Sequence, residues 1–80
     1  MITHFIELFK ENLEMENTDV QPGDAFREYD KWDSLRHLLL IAMIDEEYGV
    51  VIETKIFEKI TTIEELVDTI TQLQLKSGDK

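Results

Sequence analysis

Seven consecutive apolar residues, Leu38 to Ile44, lie in the middle of this 80-residue chain and constrain its fold more than any other stretch. The run is far shorter than the roughly 20 residues a membrane-spanning helix needs. It lies inside a segment with helical signals at both ends. The segment opens at Asp33 or Ser34, extends to about Tyr48, and meets Gly49, a residue suited to the left-handed turn after a helix. At 3.6 residues per turn, His37, Leu40, Ile41, Ile44 and Tyr48 share one face, the expected core stripe. Leu35, Leu39, Ala42 and Glu46 form a second stripe turned well away from it. A domain near this size buries only about 60% of its unfolded surface. It cannot easily bury both stripes, so the second is expected to face a partner beside Ser34.

The flanking segments supply the rest of a bundle. Ile2, Phe5, Ile6, Phe9 and Leu13 follow helical spacing, which predicts a helix from about Thr3, as a cap, to Leu13. From Glu14 to Lys31 the pattern dissolves among turn formers, including the sole proline, Pro22. A loop this long needs anchors, and Val20, Phe26 and Tyr29 are the candidates. Asp19, Asp24 and Asp30 lack the alternate spacing and terminal glutamate of a calcium loop. Val50-Val51-Ile52 has no pairing partner and reads as an extended connector, followed by a helical turn near Thr54–Glu58 that turns Ile56 or Phe57 inward. Thr62-Ile63-Glu64-Glu65 is a capping box. It opens a last helix with Ile63, Leu66, Val67, Ile70 and Leu73 or Gln74 on one stripe, fraying after Leu75 into a polar tail at 76–80. The expected fold is all-α: a small four-helix bundle with a long first loop and a short third helix, forming one domain over 1–80 with its ordered core at about 2–75.

Charge and composition narrow the function. Eighteen acidic against eight basic side chains give a net charge of −10. That disfavours nucleic acid, whose binding rests on neutralising phosphates with Lys and Arg, and favours partners with basic docking patches. With no cysteine, any thiol chemistry must come from an attached group. The first residues lack the basic start and long apolar run of a signal peptide, so a soluble cytoplasmic protein without membrane insertion is expected.

The candidate site is Trp32-Asp33-Ser34-Leu35-Arg36-His37. A serine at the start of a helix places its hydroxyl among unpaired N–H groups and the positive end of the helix dipole, which favours an anion. A hydrolase built from Asp33, Ser34 and His37 is a poor reading. All three lie on one helical turn, with no nucleophile elbow and no second element to supply an oxyanion hole. Ser34 as an ordinary helix cap is the plain alternative.

Asp33-Ser34-Leu35 opening such a helix resembles the acyl carrier protein family. Phe26, seven residues before Asp33, matches a position where that family commonly has phenylalanine. Asp45-Glu46-Glu47-Tyr48-Gly49-Val50 is similar to the acidic end of its second helix, and Glu58–Ile63 to the approach to its last. The resemblance implies that Ser34 carries a covalent 4'-phosphopantetheine arm taken from coenzyme A. Asp33 would present the serine and assist the transferase's magnesium site, and Leu35 would contact the transferase. The arm's thiol would then hold acyl or aminoacyl groups as thioesters, so the chain is a non-catalytic carrier. Implied partners are a phosphopantetheinyl transferase, an acyl- or aminoacyl-loading ligase, and downstream transferases or synthases. A monomer suits such traffic.

Partner contacts are expected at Trp32, Leu35, Arg36, Leu39, Ala42, Glu46 and Glu47. Phe26, Leu40, Ile44, Ile56, Phe57 and Ile63 are candidates to line an acyl chain. Lys31 and Trp32 stand where small residues often precede the aspartate, Arg36 where an acidic residue is frequent, and Leu39 where a glutamate is often found. Trp32 to Leu35 followed by His37 looks like specialised stand-alone carriers of secondary-metabolite or cell-surface polysaccharide pathways, beside the fatty-acid type. The competing reading is an unmodified acidic helical module that binds a partner helix through Leu35, Leu39 and Ala42 without using Ser34.

Overall fold

Helical periodicity at the N-terminus becomes α1, Ile2–Asn12, with Phe5 and Phe9 fully buried and Ile2 and Ile6 at the margin of the core. The computed structural model describes residues 2–78, with side chains through Lys76. Thr3 lies inside the first turn of α1 and is exposed, so it is not the cap that its position suggested. The helix ends in a Schellman motif: Met15 N–H donates to the Lys10 carbonyl at 2.8 Å and Glu14 N–H to the Glu11 carbonyl at 3.4 Å. Glu14 therefore occupies the left-handed position, with φ 57°, usually taken by glycine. Met15, the next residue, is fully buried against the end of the helix.

The long loop is folded down by its aromatic residues. Val20 and Phe26 are buried and Tyr29 is half-buried. Phe26 starts a single 3-10 turn, Phe26–Glu28, and meets the rings of Phe9, Trp32 and Phe57 at 6.5, 5.3 and 5.9 Å. Asp24 ties the loop together, its carboxylate accepting from Gln21 N–H at 2.9 Å and the Tyr29 hydroxyl at 2.7 Å. Burial first, and this carboxylate second, push the Tyr29 phenol well above its ordinary value.

α2 spans Ser34–Tyr48 and stops at Gly49, which adopts φ 66° and donates its N–H to the Asp45 carbonyl at 2.9 Å. Val50 and Ile52 are buried and Val51 is exposed, an alternation that pins the extended connector without making it a strand. α3, Thr54–Phe57, turns Phe57 into the core, while Ile56 is 39% exposed and lies outside it. Of the expected acyl-lining set, Ile56 is therefore misplaced.

α4 runs Ile63–Gly78 and buries Ile63, Leu66, Val67 and Ile70, with Leu73 rather than Gln74 continuing the stripe. The helix continues past Leu75 to Gly78, so the expected fraying point is too early; Asp79 and Lys80 lie outside the described residues. Lys76 in its last turn favours that extension by facing the negative end of the helix dipole. α1, α2 and α4 pack against one another around a single core, with α3 short and peripheral. Among the described residues the only β-type contact is one isolated bridge, Ala25 with Thr62, and no helix is long and apolar enough to cross a membrane.

Candidate functional site

The two helix starts that face the long loop are finished differently. At α4 the donors are taken up. Ile63 and Glu64 N–H groups donate to the carbonyls of Asp24 and Pro22 at 3.2 and 2.8 Å, and Glu65 N–H donates to Thr62 Oγ1 at 3.1 Å. Glu65 reaches back to accept from the Thr61 and Thr62 N–H groups at 2.7 and 3.1 Å, completing the capping box. These two bonds hold the Glu65 carboxyl below its ordinary value.

At α2 the closure is partial. Asp33, in extended backbone conformation, is the cap, and its Oδ1 accepts from Arg36 N–H at 2.9 Å. Its carbonyl accepts from His37 N–H at 3.0 Å. Ser34 is therefore the first helical residue and not the cap, which removes the plain capping role for its hydroxyl. The side chain is exposed, and among the described residues neither its hydroxyl nor the N–H groups of Ser34 and Leu35 have a partner. An esterified phosphate on this oxygen would lie beside open donors and the positive end of a 15-residue helix.

Ser34 also lines an open groove of about 580 Å³, shared with Arg27, Trp32, Asp33, His37 and Leu38. Trp32 stands edge-on to Phe26 at 5.3 Å, and His37 contacts Trp32 at 6.4 Å and Phe57 at 4.9 Å. Arg27 lies over the rings of Phe26 and Phe57, 4.9 and 4.6 Å from their centroids, while donating to the carbonyls of Phe57 and Ile60. The cation is fixed by stacking and by hydrogen bonds together. Asp33 directs its carboxylate bonds to Arg36, not to His37, so the three polar residues of this turn are not linked as a nucleophile, base and orienting acid. Among the described residues no group of His, Asp or Glu is arranged to hold a metal ion.

The expected partner face needs two corrections. Its phase is rotated: the exposed seam of α2 runs through Leu35, 53% exposed, Leu38, 64% exposed, and Ala42, with acidic Glu46 and Glu47 near its far end. Leu39 is half-buried against the core, because the helix is turned so that Leu40, Met43 and Ile44 point inward. His37, Ile41 and Tyr48, expected on the core stripe, lie at its margins. Arg36 is the second correction. One helical turn before Leu40, it lies on the inward side and spans to the end of α1. Its Nε donates to the Leu13 carbonyl at 3.1 Å, its Nη1 to Asp33 at 3.3 Å, and Nη2 lies 3.8 Å from Glu14. The guanidinium ties the start of α2 to the end of α1, and the side chain is mostly buried.

Leu38 and Arg27 belong to the site but were missed by sequence reasoning. Leu38 had no distinguishing signal within a wholly apolar run. Arg27 had only its place beside the anchoring Phe26.

Comparison with known proteins is consistent along the chain. The family model described as the phosphopantetheine attachment site matches residues 4–70. An acyl carrier protein of Rubrobacter xylanophilus is 37% identical over 68 residues, which cover 85% of this chain and 84% of that protein. No solved structure matches the chain.

Proposed function

The chain belongs to the acyl carrier family with its phosphopantetheine attachment domain, and on that premise we propose that Ser34 is the residue that bears the arm. The family's members are non-catalytic carriers whose cofactor is covalent 4'-phosphopantetheine. The observation that carries the assignment to Ser34 is the contrast between the two helix starts: the one at Ile63 is closed by the loop, and the one at Ser34 keeps an exposed hydroxyl beside two open N–H groups. The residues fit the group. Attachment would leave a phosphodiester anion among donors that nothing else uses, and Asp33 would hold the turn in place through its bond to Arg36 N–H.

In this reading the arm supplies the thiol the chain lacks, and acyl or aminoacyl intermediates ride on it as thioesters between partner enzymes. A phosphopantetheinyl transferase, a loading ligase and downstream transferases or synthases would dock beside Ser34 on the seam of Leu35, Leu38 and Ala42. Glu46 and Glu47 would draw in basic surfaces. Trp32 and His37 favour a specialised biosynthetic pathway, secondary-metabolite or cell-surface polysaccharide, over standard fatty-acid synthesis.

The test is intact mass after incubation with coenzyme A, magnesium and a broad-specificity phosphopantetheinyl transferase. One phosphopantetheine adduct on the native chain, and none on Ser34→Ala, is the expected result. A folded native chain that takes no adduct would overturn the assignment and leave the exposed leucines as the surface of an interaction module.

A further inference from the structure

Ser34 and His37 stand three residues apart at the start of α2 and line the same open groove. Side chains at this spacing have Cβ atoms about 5–6 Å apart, and helical side chains lean toward the N-terminus. The imidazole therefore leans back over the turn that carries the serine. Its place in the helix is fixed by the 3.0 Å bond from His37 N–H to the Asp33 carbonyl. Its ring is held by edge contacts to Trp32 and Phe57, yet among the described residues the ring nitrogens make no hydrogen bond. The charged groups that share the groove are committed elsewhere. Arg27, from the loop, donates to the Phe57 and Ile60 carbonyls, and Asp33 accepts from the backbone N–H and Nη1 of Arg36. α3 meets His37 with the uncharged ring of Phe57.

We propose that His37 is the proton acceptor for the Ser34 hydroxyl during attachment, so that the carrier brings part of the chemistry to its own transferase. The proposal rests on Ser34 being the attachment residue. A serine hydroxyl is a weak nucleophile until a base takes its proton. In the transfer, the bond from Ser34 Oγ to phosphorus forms as the diphosphate bond of coenzyme A breaks. Adenosine bisphosphate leaves with the bridging oxygen, and the serine proton passes to His37, directly or through one water, and then to solvent. Histidine suits the task because its charge change falls in the physiological range. Of the residues lining the groove, His37 alone combines a basic lone pair with no committed partner among the described residues. Two aromatic contacts hold the ring where a triad would use a carboxylate. The transferase supplies the rest of the site, and the chain remains the substrate of that reaction.

The test is single-turnover transfer with coenzyme A, magnesium and a broad-specificity transferase in excess over the apo chain, with adducts counted by intact mass. His37→Gln keeps the size and polarity of the side chain but not its basicity, and His37 lies at the margin of the core, so the fold is retained. At saturating transferase its rate is expected to fall about a hundredfold, with the half-saturating concentration unchanged. Titrations of the transferase cancel in the ratio of native to variant rates. That ratio should be near one in acid and grow to the full factor as the imidazole becomes neutral. Free imidazole should restore part of the rate to His37→Ala and none to Ser34→Ala, a pattern that lost packing does not produce. Equal rates for the native chain and His37→Gln, a ratio independent of pH, or a raised half-saturation with no change at saturation would refute the proton acceptor and leave the attachment assignment standing. A folded native chain that takes no adduct would overturn both.

Discussion

Replacing Arg36 with methionine tests whether this side chain is a structural clamp or a partner contact. The Arg36 side chain is only 17% exposed, and its guanidinium donates to the Leu13 carbonyl at 3.1 Å, just past the last residue of α1. A hydrogen bond from a charged donor contributes about 1.5–3 kcal/mol, and a cation there also meets the negative end of the α1 dipole. The pairs with Asp33 and Glu14 add little, since those side chains are 53% and 75% exposed; together they contribute about 0–1 kcal/mol. Methionine keeps most of the apolar stem, so packing loss is small. The sum is a destabilisation of about 2 kcal/mol. For a domain of this size each 1 kcal/mol moves the melting temperature by about 4–8 °C, so a drop of about 8–16 °C is expected. Thermal unfolding followed by circular dichroism reads it, with urea unfolding as a check that the m-value is unchanged. A Glu14→Gln background should show coupling near zero, which separates the carbonyl bond from the surface pair. Below its melting point the variant should accept the phosphopantetheine arm as the native chain does. A drop of less than about 2 °C, or normal stability with lost transferase recognition, would refute the clamp and return Arg36 to the partner face.

Four further outcomes follow from the same geometry. Leu38→Glu should change stability by less than about 0.5 kcal/mol while lowering the transferase kcat/KM several-fold. Leu39→Glu should cost about 2 kcal/mol by partly burying a carboxylate; equal stability of the two variants in urea would refute the rotated seam. Glu14→Gly should stabilise the fold by about 1 kcal/mol, since the left-handed position penalises a side chain and the 3.8 Å contact with Arg36 contributes little; a lower urea midpoint would count against that. Glu65 has a lowered folded-state value, so its contribution is present above the ordinary carboxylate range and is lost as pH falls through the folded value. The stability gap between the native chain and Glu65→Gln should therefore narrow on acidification, and a gap independent of pH would contradict the capping-box charge.

The helices, the caps at Gly49 and Thr62, and the candidate serine at the start of α2 were legible because they depend on local chemistry. Phe5 and Phe9 in α1, and Ile63, Leu66 and Ile70 in α4, are spaced for one face of their helix, Gly49 accepts a left-handed turn, and Thr62 with Glu65 forms a capping box within a single helical turn. Asp33-Ser34-Leu35 had meaning for the same reason: a short polar pair before a long apolar segment marks a helix N-terminus. The rotation of α2 was not legible. Leu38 to Ile44 is apolar all round, so periodicity offers no phase, and only packing against α1 and α4 decides that Leu39 tucks in while Leu38 stays out. Arg36 follows from that rotation, since the turn that buries Leu40 and Met43 also aims a guanidinium at the Leu13 carbonyl. The groove beside Ser34 depends on contacts between distant parts of the chain, with Arg27 from the loop, Phe57 from α3 and His37 from α2 meeting at one place. Short-range rules specify how a backbone segment satisfies its own hydrogen bonds. Which side of that segment meets solvent is set by the surfaces packed against it, and those belong to other segments.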